Sequence, residues 1–311
     1  ELKSKIPQLI VVDKDVANKR DYQETLLIDI NGNKKDQAEL LAKTLEINVE
    51  ESWNQGLESW NYPSIPRVII VKTQGELQSL GEIGHVLSKE LAFMKYPEFQ
   101  TYMNLENVLK EFSEDSERAV RAVLKHEAGH RFMPYDTITS LILAHNVKKS
   151  LSDIPYDKET AAKIIINLFA DMCINTILVR NGDKDITWLY EELSRNKNDS
   201  LWKVHSKSME LTWNSKILPE DLKLDQDELN AAKELSQLFN DNFFMKDNWV
   251  RNIREYTRII SKFLKNEEQD KKSQLDDISG NIPKQLNGKT ASELAKKLAE
   301  LGSDGLPKNA Q

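Results

Sequence analysis

Residues 126–130 read His126-Glu127-Ala128-Gly129-His130. On a helix this spacing puts two imidazoles one turn apart on the same face, because residues i and i+4 stack above one another. Two ligands of a single tetrahedral zinc need that separation. The glutamate beside the first histidine then lies next to the open coordination position, where a water sits. The implied chemistry is metal-assisted hydrolysis. Zinc lowers the pKa of the water and polarises a carbonyl, while Glu127 takes the proton as general base and returns it to the leaving amine. The chain has five histidines, and two of them fall in this frame.

The flanks support a helix. Ser113-Glu114-Asp115-Ser116 offers a cap with acids in the first turn. Ala119, Val120, Val123 and Leu124 follow at helical spacing, and Pro134 closes the run. The pattern predicts a helix over 114–133. Gly129 suits a close approach by another backbone or by the metal's water.

A catalytic zinc usually has three protein ligands plus water. Residues 163–180 are apolar nearly all round, which predicts a buried helix. Asn167, Asp171 and Asn175 interrupt it at i, i+4 and i+8, on one stripe. A buried carboxylate without a partner is very costly, so Asp171 must face a cation or strong donors. A zinc on His126 and His130 would supply that charge, with Asn167 and Asn175 orienting the site. Asp136, His145, Asp153 and Glu159 are outside candidates.

These motifs resemble the zincin metallopeptidases, which share a strand-flanked HExxH helix and a following helix with the third ligand. Within that group, Asn167-Leu-Phe-Ala-Asp171-Met-Cys-Ile-Asn175 resembles the Asn-x-x-Ala-Asp-x-x-Ile-Asn segment of a predicted metallopeptidase family. Its members often accompany von Willebrand factor A-like domains; none is evident in this sequence. The resemblance covers roughly residues 105–185. It implies an α+β zincin-like fold, a bound Zn2+ and hydrolysis of a peptide or protein substrate, and it names no particular substrate. In the related glutamate pattern, a ligand glutamate precedes an aspartate by four residues. That pattern would put Asn167 in the ligand position, where asparagine is a poor zinc ligand. Asp171 is the favoured assignment, with Asn167 the alternative. For stabilising an oxyanion, Tyr135 is the first candidate, followed by His145 and Tyr156. His85 and His205 have no partner pattern and read as structural or exposed.

Composition narrows the function classes. The 311 residues are 39% hydrophobic and 30% charged, with a net charge of −7, so nucleic-acid binding has no electrostatic support. Residues 164–179 come closest to a membrane span, but the polar stripe interrupts them, so none is expected. A single cysteine, Cys173, excludes an internal disulfide and suits a reducing, cytoplasmic setting.

Three parts are expected: an α/β N-terminal part of the catalytic domain (1–112), the active-site helix with a helical part (113–266), and a polar tail (267–311). Apolar runs at 8–12, 25–30 and 67–72 read as strands, and 67–72 is a candidate edge for extended substrate. Residues 34–45, 76–95 and 103–111 read as helices. So do 186–194, 200–213, 226–240 and 247–265. Trp53 and Trp60 share a helical face and read as packing. Trp188, Trp202, Trp213, Phe239 and Trp249 should pack the helical half, with a groove role open for some. In the tail, 290–301 offers a short amphipathic helix for docking a partner or covering a cleft. The leading functional reading is a zinc metallopeptidase. The alternatives are a non-catalytic interaction module with a structural zinc on a zincin-like fold, and a helical scaffold without metal.

Overall fold

The computed structural model describes residues 9–11, 25–27, 47–95, 98–133, 137–151, 158–239, 243 and 245–264. The chain divides into two compact units, residues 1–47 and 48–311. In the first, β1 (Leu9–Val11) pairs antiparallel with β2 (Thr25–Leu27), Leu9 opposite Leu27. The helix expected at 34–45 and the tail lie outside the described residues. So do Tyr135, Asp136, Asp153 and Tyr156.

The second unit is α+β, with a small three-stranded sheet and a mainly helical remainder. It opens with α1 (Val49–Glu58), capped by the Asn48 side chain on the Glu51 N–H. Next come β3 (Ile69–Val71), α2 (Gln74–Ser79) and α3 (Glu82–Leu87). Thr73 and Glu76 form a reciprocal capping box at the start of α2. Gly81, at φ +58°, ends that helix and lets the chain restart as α3.

Here the structure departs from the expected helix over 76–95. Its last residues form β4 (Ala92–Lys95), paired antiparallel with β5 (Gln100–Asn104). The helix expected from 103 begins two residues later. Asn104 ends β5 and its side chain caps α4 (Leu105–Glu111) by accepting from the Asn107 N–H. The sheet order is β3-β5-β4, with β3 parallel to β5. Val71, Leu77, Leu87, Phe93 and Tyr102 make its core, with Leu80, Ile83 and Val86 packed alongside.

Helices follow to the end of the described chain: α5 (Ser116–Gly129), α6 (Thr137–Ser150), α7 (Lys158–Arg180), α8 (Asp185–Ser194), α9 (Ser200–Trp213), α10 (Gln226–Leu238) and α11 (Lys246–Ile260). A 3-10 turn, Ser261–Phe263, ends the last one. Helix α7 is the axis of this half and packs against α5, α6, α8, α9 and α11. By length and composition α7 could cross a membrane, but 83% of its most apolar window is buried among these neighbours. Phe169 on α7 meets Phe239 and Tyr256. Of the aromatics expected to pack the helical half, Trp202, Trp213, Phe239 and Trp249 are buried, and Trp188 is half-buried.

Candidate metal centre

Helix α5 carries the two histidines and is held from three sides. Asp115 caps it by accepting from the Arg118 N–H, and His130 is its C-cap. It is therefore shorter than the 114–133 expectation. On one side Arg118, Arg121 and Lys125 converge on Asp185, at 3.0, 2.7 and 3.0 Å, and Lys125 also reaches Asp183 at 2.6 Å. On another, α1 lies along α5. Gly56 comes close enough that a Cβ there would sit 3.1 Å from the Leu124 carbonyl oxygen. Just beyond α1, Trp60 donates its Nε1–H to the Lys125 carbonyl at 2.8 Å. The third side is α7. A Cβ on Gly129 would lie 2.5 Å from Ile174 Cγ2 and 2.6 Å from Trp60 Cζ2. The close approach expected at Gly129 is thus made by these two side chains rather than by a backbone or a water. It lets α7 come near enough for Asp171 to meet the imidazoles.

The meeting is direct. Asp171 Oδ1 is 3.4 Å from His126 Nε2 and 3.6 Å from His130 Nε2. The imidazoles are edge-to-face, with centroids 4.9 Å apart. His130 is 3% exposed, Asp171 5% and Glu127 5%. The opposite ring nitrogens face oxygens: His126 Nδ1 lies 2.8 Å from Asn175 Oδ1, and His130 Nδ1 lies 3.1 Å from the Met133 carbonyl. Carbonyl oxygens only accept, so each Nδ1 carries a hydrogen and, in the neutral ring, each Nε2 presents a lone pair. Two lone pairs and a carboxylate oxygen therefore converge, a set of acceptors that calls for a cation.

The flanking asparagines fix this arrangement. Asn167 donates to Asp171 Oδ2 at 3.0 Å, which turns Oδ1 toward the histidines. Asn175 donates to the Tyr190 hydroxyl at 2.8 Å while accepting from His126. Of the two assignments open for the stripe, this geometry matches Asp171 at the centre with the asparagines orienting it. Among the described residues, two buried carboxylate oxygens have no hydrogen bond: Asp171 Oδ1 and Glu127 Oε2.

The electrostatics agree with a site that attracts positive charge. Burial opposes charge on His126, yet Asp171 draws it up to about 9. Burial opposes ionisation of Asp171 too, yet His126, His130 and Asn167 hold it below its ordinary value. His130 is lowered to about 4 by burial and by His126. Glu127 is raised to about 7, chiefly by burial. Such a value suits a group that takes and gives a proton near neutrality.

His126, His130 and Asp171 thus form a buried group that could hold a metal ion, with ligand atoms within 4.8 Å of one another. The orphaned Oδ1 and the two-imidazole, one-carboxylate set fit that role.

The group opens onto a cleft of about 440 Å³. Its lining includes residues 89–93, entering β4, with Asn107 and Lys110, and also Tyr190, Trp202 and His205. The strand edge at the cleft is therefore β4; β3, within the expected 67–72 run, lies on the opposite edge of the sheet. His145 is exposed on α6 and outside the cleft lining, and Glu159 pairs with Lys148. Tyr190, which the sequence does not mark, and His205, which reads from the sequence as structural or exposed and is buried, also line the cleft. So does Trp202, one of the aromatics with a groove role open, its ring parallel to that of Tyr190 at 6.0 Å. No protein-family model, curated protein or solved structure matches the chain.

Proposed function

We propose that this chain is a zinc-dependent metallopeptidase on a zincin-like fold. The observation that carries the reading is the buried convergence of His126 Nε2, His130 Nε2 and Asp171 Oδ1, with the bare carboxylate oxygen of Glu127 beside them at a cleft. His126, His130 and Asp171 would hold the ion. Zinc, when bound, supplies Lewis acidity, which makes a water a better nucleophile and polarises a carbonyl.

The chain's own residues account for the rest. Glu127 takes a proton at Oε2 from the attacking water and passes it to the departing nitrogen. Burial raises the proton affinity of that carboxyl above its ordinary value. Asn175 and the Met133 carbonyl orient the imidazoles, and Asn167 orients Asp171. β4 pairs on one side only, with β5, so its other edge is available among the described residues to align an extended peptide.

A purely structural zinc is the second reading. It leaves Glu127 Oε2 buried without a bond and gives the cleft no purpose, so it is less economical. Glu127→Gln separates the two. Metal analysis of the variant should find about one zinc per chain, as in the wild type, with peptide cleavage reduced about 10²–10⁴-fold, the usual contribution of a general base. Cleavage at the wild-type rate would remove Glu127 from its role. Protein without bound metal would remove both zinc readings.

A further inference from the structure

Helix α9 brings a third histidine to the cleft. His205 is 1% exposed, yet it lines the same cavity as His126 and His130. Its Nδ1 lies 3.0 Å from the hydroxyl of Tyr256, which is fully buried and outside the cleft lining. Among the described residues that nitrogen is the hydroxyl's one hydrogen-bond partner. A tyrosine hydroxyl has a single hydrogen. Donation from Tyr256 to Nδ1 satisfies it, whereas the reverse arrangement strands a buried donor, which is costly. Nδ1 is then the acceptor, and the ring's hydrogen is on Nε2, at the edge away from Tyr256.

Burial keeps this imidazole neutral, lowering it to about 4, with Lys197 adding to the shift and Asp171 opposing it. The same wall carries positive charge: Lys197 Nζ stands 4.0 Å above the Trp202 ring, and both residues line the cleft. None of these residues belongs to the His126, His130 and Asp171 group.

We propose that His205 is a ligand-binding residue of the cleft: its Nε2–H donates to an anionic oxygen of the bound substrate, Tyr256 fixes the tautomer, and Lys197 on Trp202 supplies positive charge nearby. This rests on the peptidase reading for the identity of the oxygen. Two sources share the chemistry: the charge that develops on the carbonyl under attack, and a free terminal carboxylate.

Two measurements test it. In a side-chain ¹H–¹⁵N spectrum of the histidine-labelled protein near pH 7, His205 should show a protonated Nε2 and a bare Nδ1. Tyr256→Phe should make the two tautomers comparable. An Nδ1–H tautomer in the wild type overturns the proposal. The second measurement uses an acetylated Ala-Phe-Ala peptide, as carboxylate and as amide, with zinc-loaded protein. Binding is read by calorimetry in the Glu127→Gln background, and turnover in the wild-type background. His205→Ala should leave the metal content unchanged and lower binding or kcat by about 10²-fold, and His205→Gln, which keeps a donor, should recover part of the loss. A loss of affinity for the carboxylate form alone assigns the oxygen to the peptide terminus. A loss of kcat on both forms assigns it to the carbonyl. Unchanged binding and turnover in His205→Ala overturn the proposal, as does failure of both peptides to bind the Glu127→Gln protein with His205 intact. If His205 governs peptide affinity but no variant or wild type cleaves, the peptidase reading fails and this one stands.

Discussion

A carboxylate oxygen buried beside two imidazole nitrogens is stable only when something positive lies among them. Asp171 Oδ1 is the oxygen placed to need such a charge, and its neighbours divide the remaining work. Asn167 occupies the other carboxylate oxygen, while Asn175 fixes the tautomer of His126. Zinc titration of Asp171→Ala should therefore lose far more affinity than Asn167→Ala; the reverse order would return the ligand position to residue 167. Asn175→Ala should weaken zinc by about 10–100-fold, the usual cost of losing a partner of a metal-bound histidine. The polar stripe was legible in the sequence because its surroundings are so apolar that three amides and acids at helical spacing need a reason. His205 was not legible. Its partner, Tyr256, is 51 residues away, and nothing local marks a histidine whose surroundings are assembled by other helices.

At the scale of elements, the approach of α5 and α7 is set by the absence of a side chain at Gly129. Gly129→Ala would drive a methyl into Ile174 and into Trp60, which is itself tied to the Lys125 carbonyl. Denaturant melts should register a loss of about 1–3 kcal/mol, typical of overpacking. Zinc affinity should fall with it as Asp171 is moved from the imidazoles. The same helix is anchored through Asp185. Burial pushes that carboxyl up, but hydrogen bonds from Arg121, Lys125 and Arg118 outweigh it and hold it well below the ordinary carboxylate range. A depressed folded value means the pairing adds stability above the unfolded value of about 4, and that contribution is lost as the pH falls below it. Melts between about pH 5 and 2 should show the wild type losing more stability than Asp185→Asn; parallel curves would discount the clamp. The helix itself was readable from its cap, its apolar spacing and its histidines. Strand β4 was not. Residues 92–95 continue an apolar run that suits helix or strand equally, and its pairing with β5 decides the matter.

For the molecule as a whole, the proposed ligands come from two helices that also carry its core, so metal binding and folding should be linked. At a free zinc concentration 100 times the dissociation constant, linkage gives about 2.7 kcal/mol, or roughly 5–10 °C in melting temperature for a unit of this size. Calorimetric scans with zinc and with a chelator should show this difference in the wild type and in Glu127→Gln, and should lose it in Asp171→Ala. The α+β class was implied by the resemblance and by the strand and helix runs, and the order of the later helices followed from periodicity and caps. The cleft did not, because it is a property of how sheet and helices face each other across α5.

Helix α7 has one further consequence, during synthesis rather than in the folded state. By length and composition its 23 residues could cross a membrane. An aspartate near the middle of such a segment disfavours transfer into lipid by about 2.5–3.5 kcal/mol, and Asn167 and Asn175 add to that. The residue proposed to hold the ion should thus also keep the nascent helix out of lipid. Asp171→Leu should erase both properties, and an in vitro insertion assay on the isolated segment would read the second.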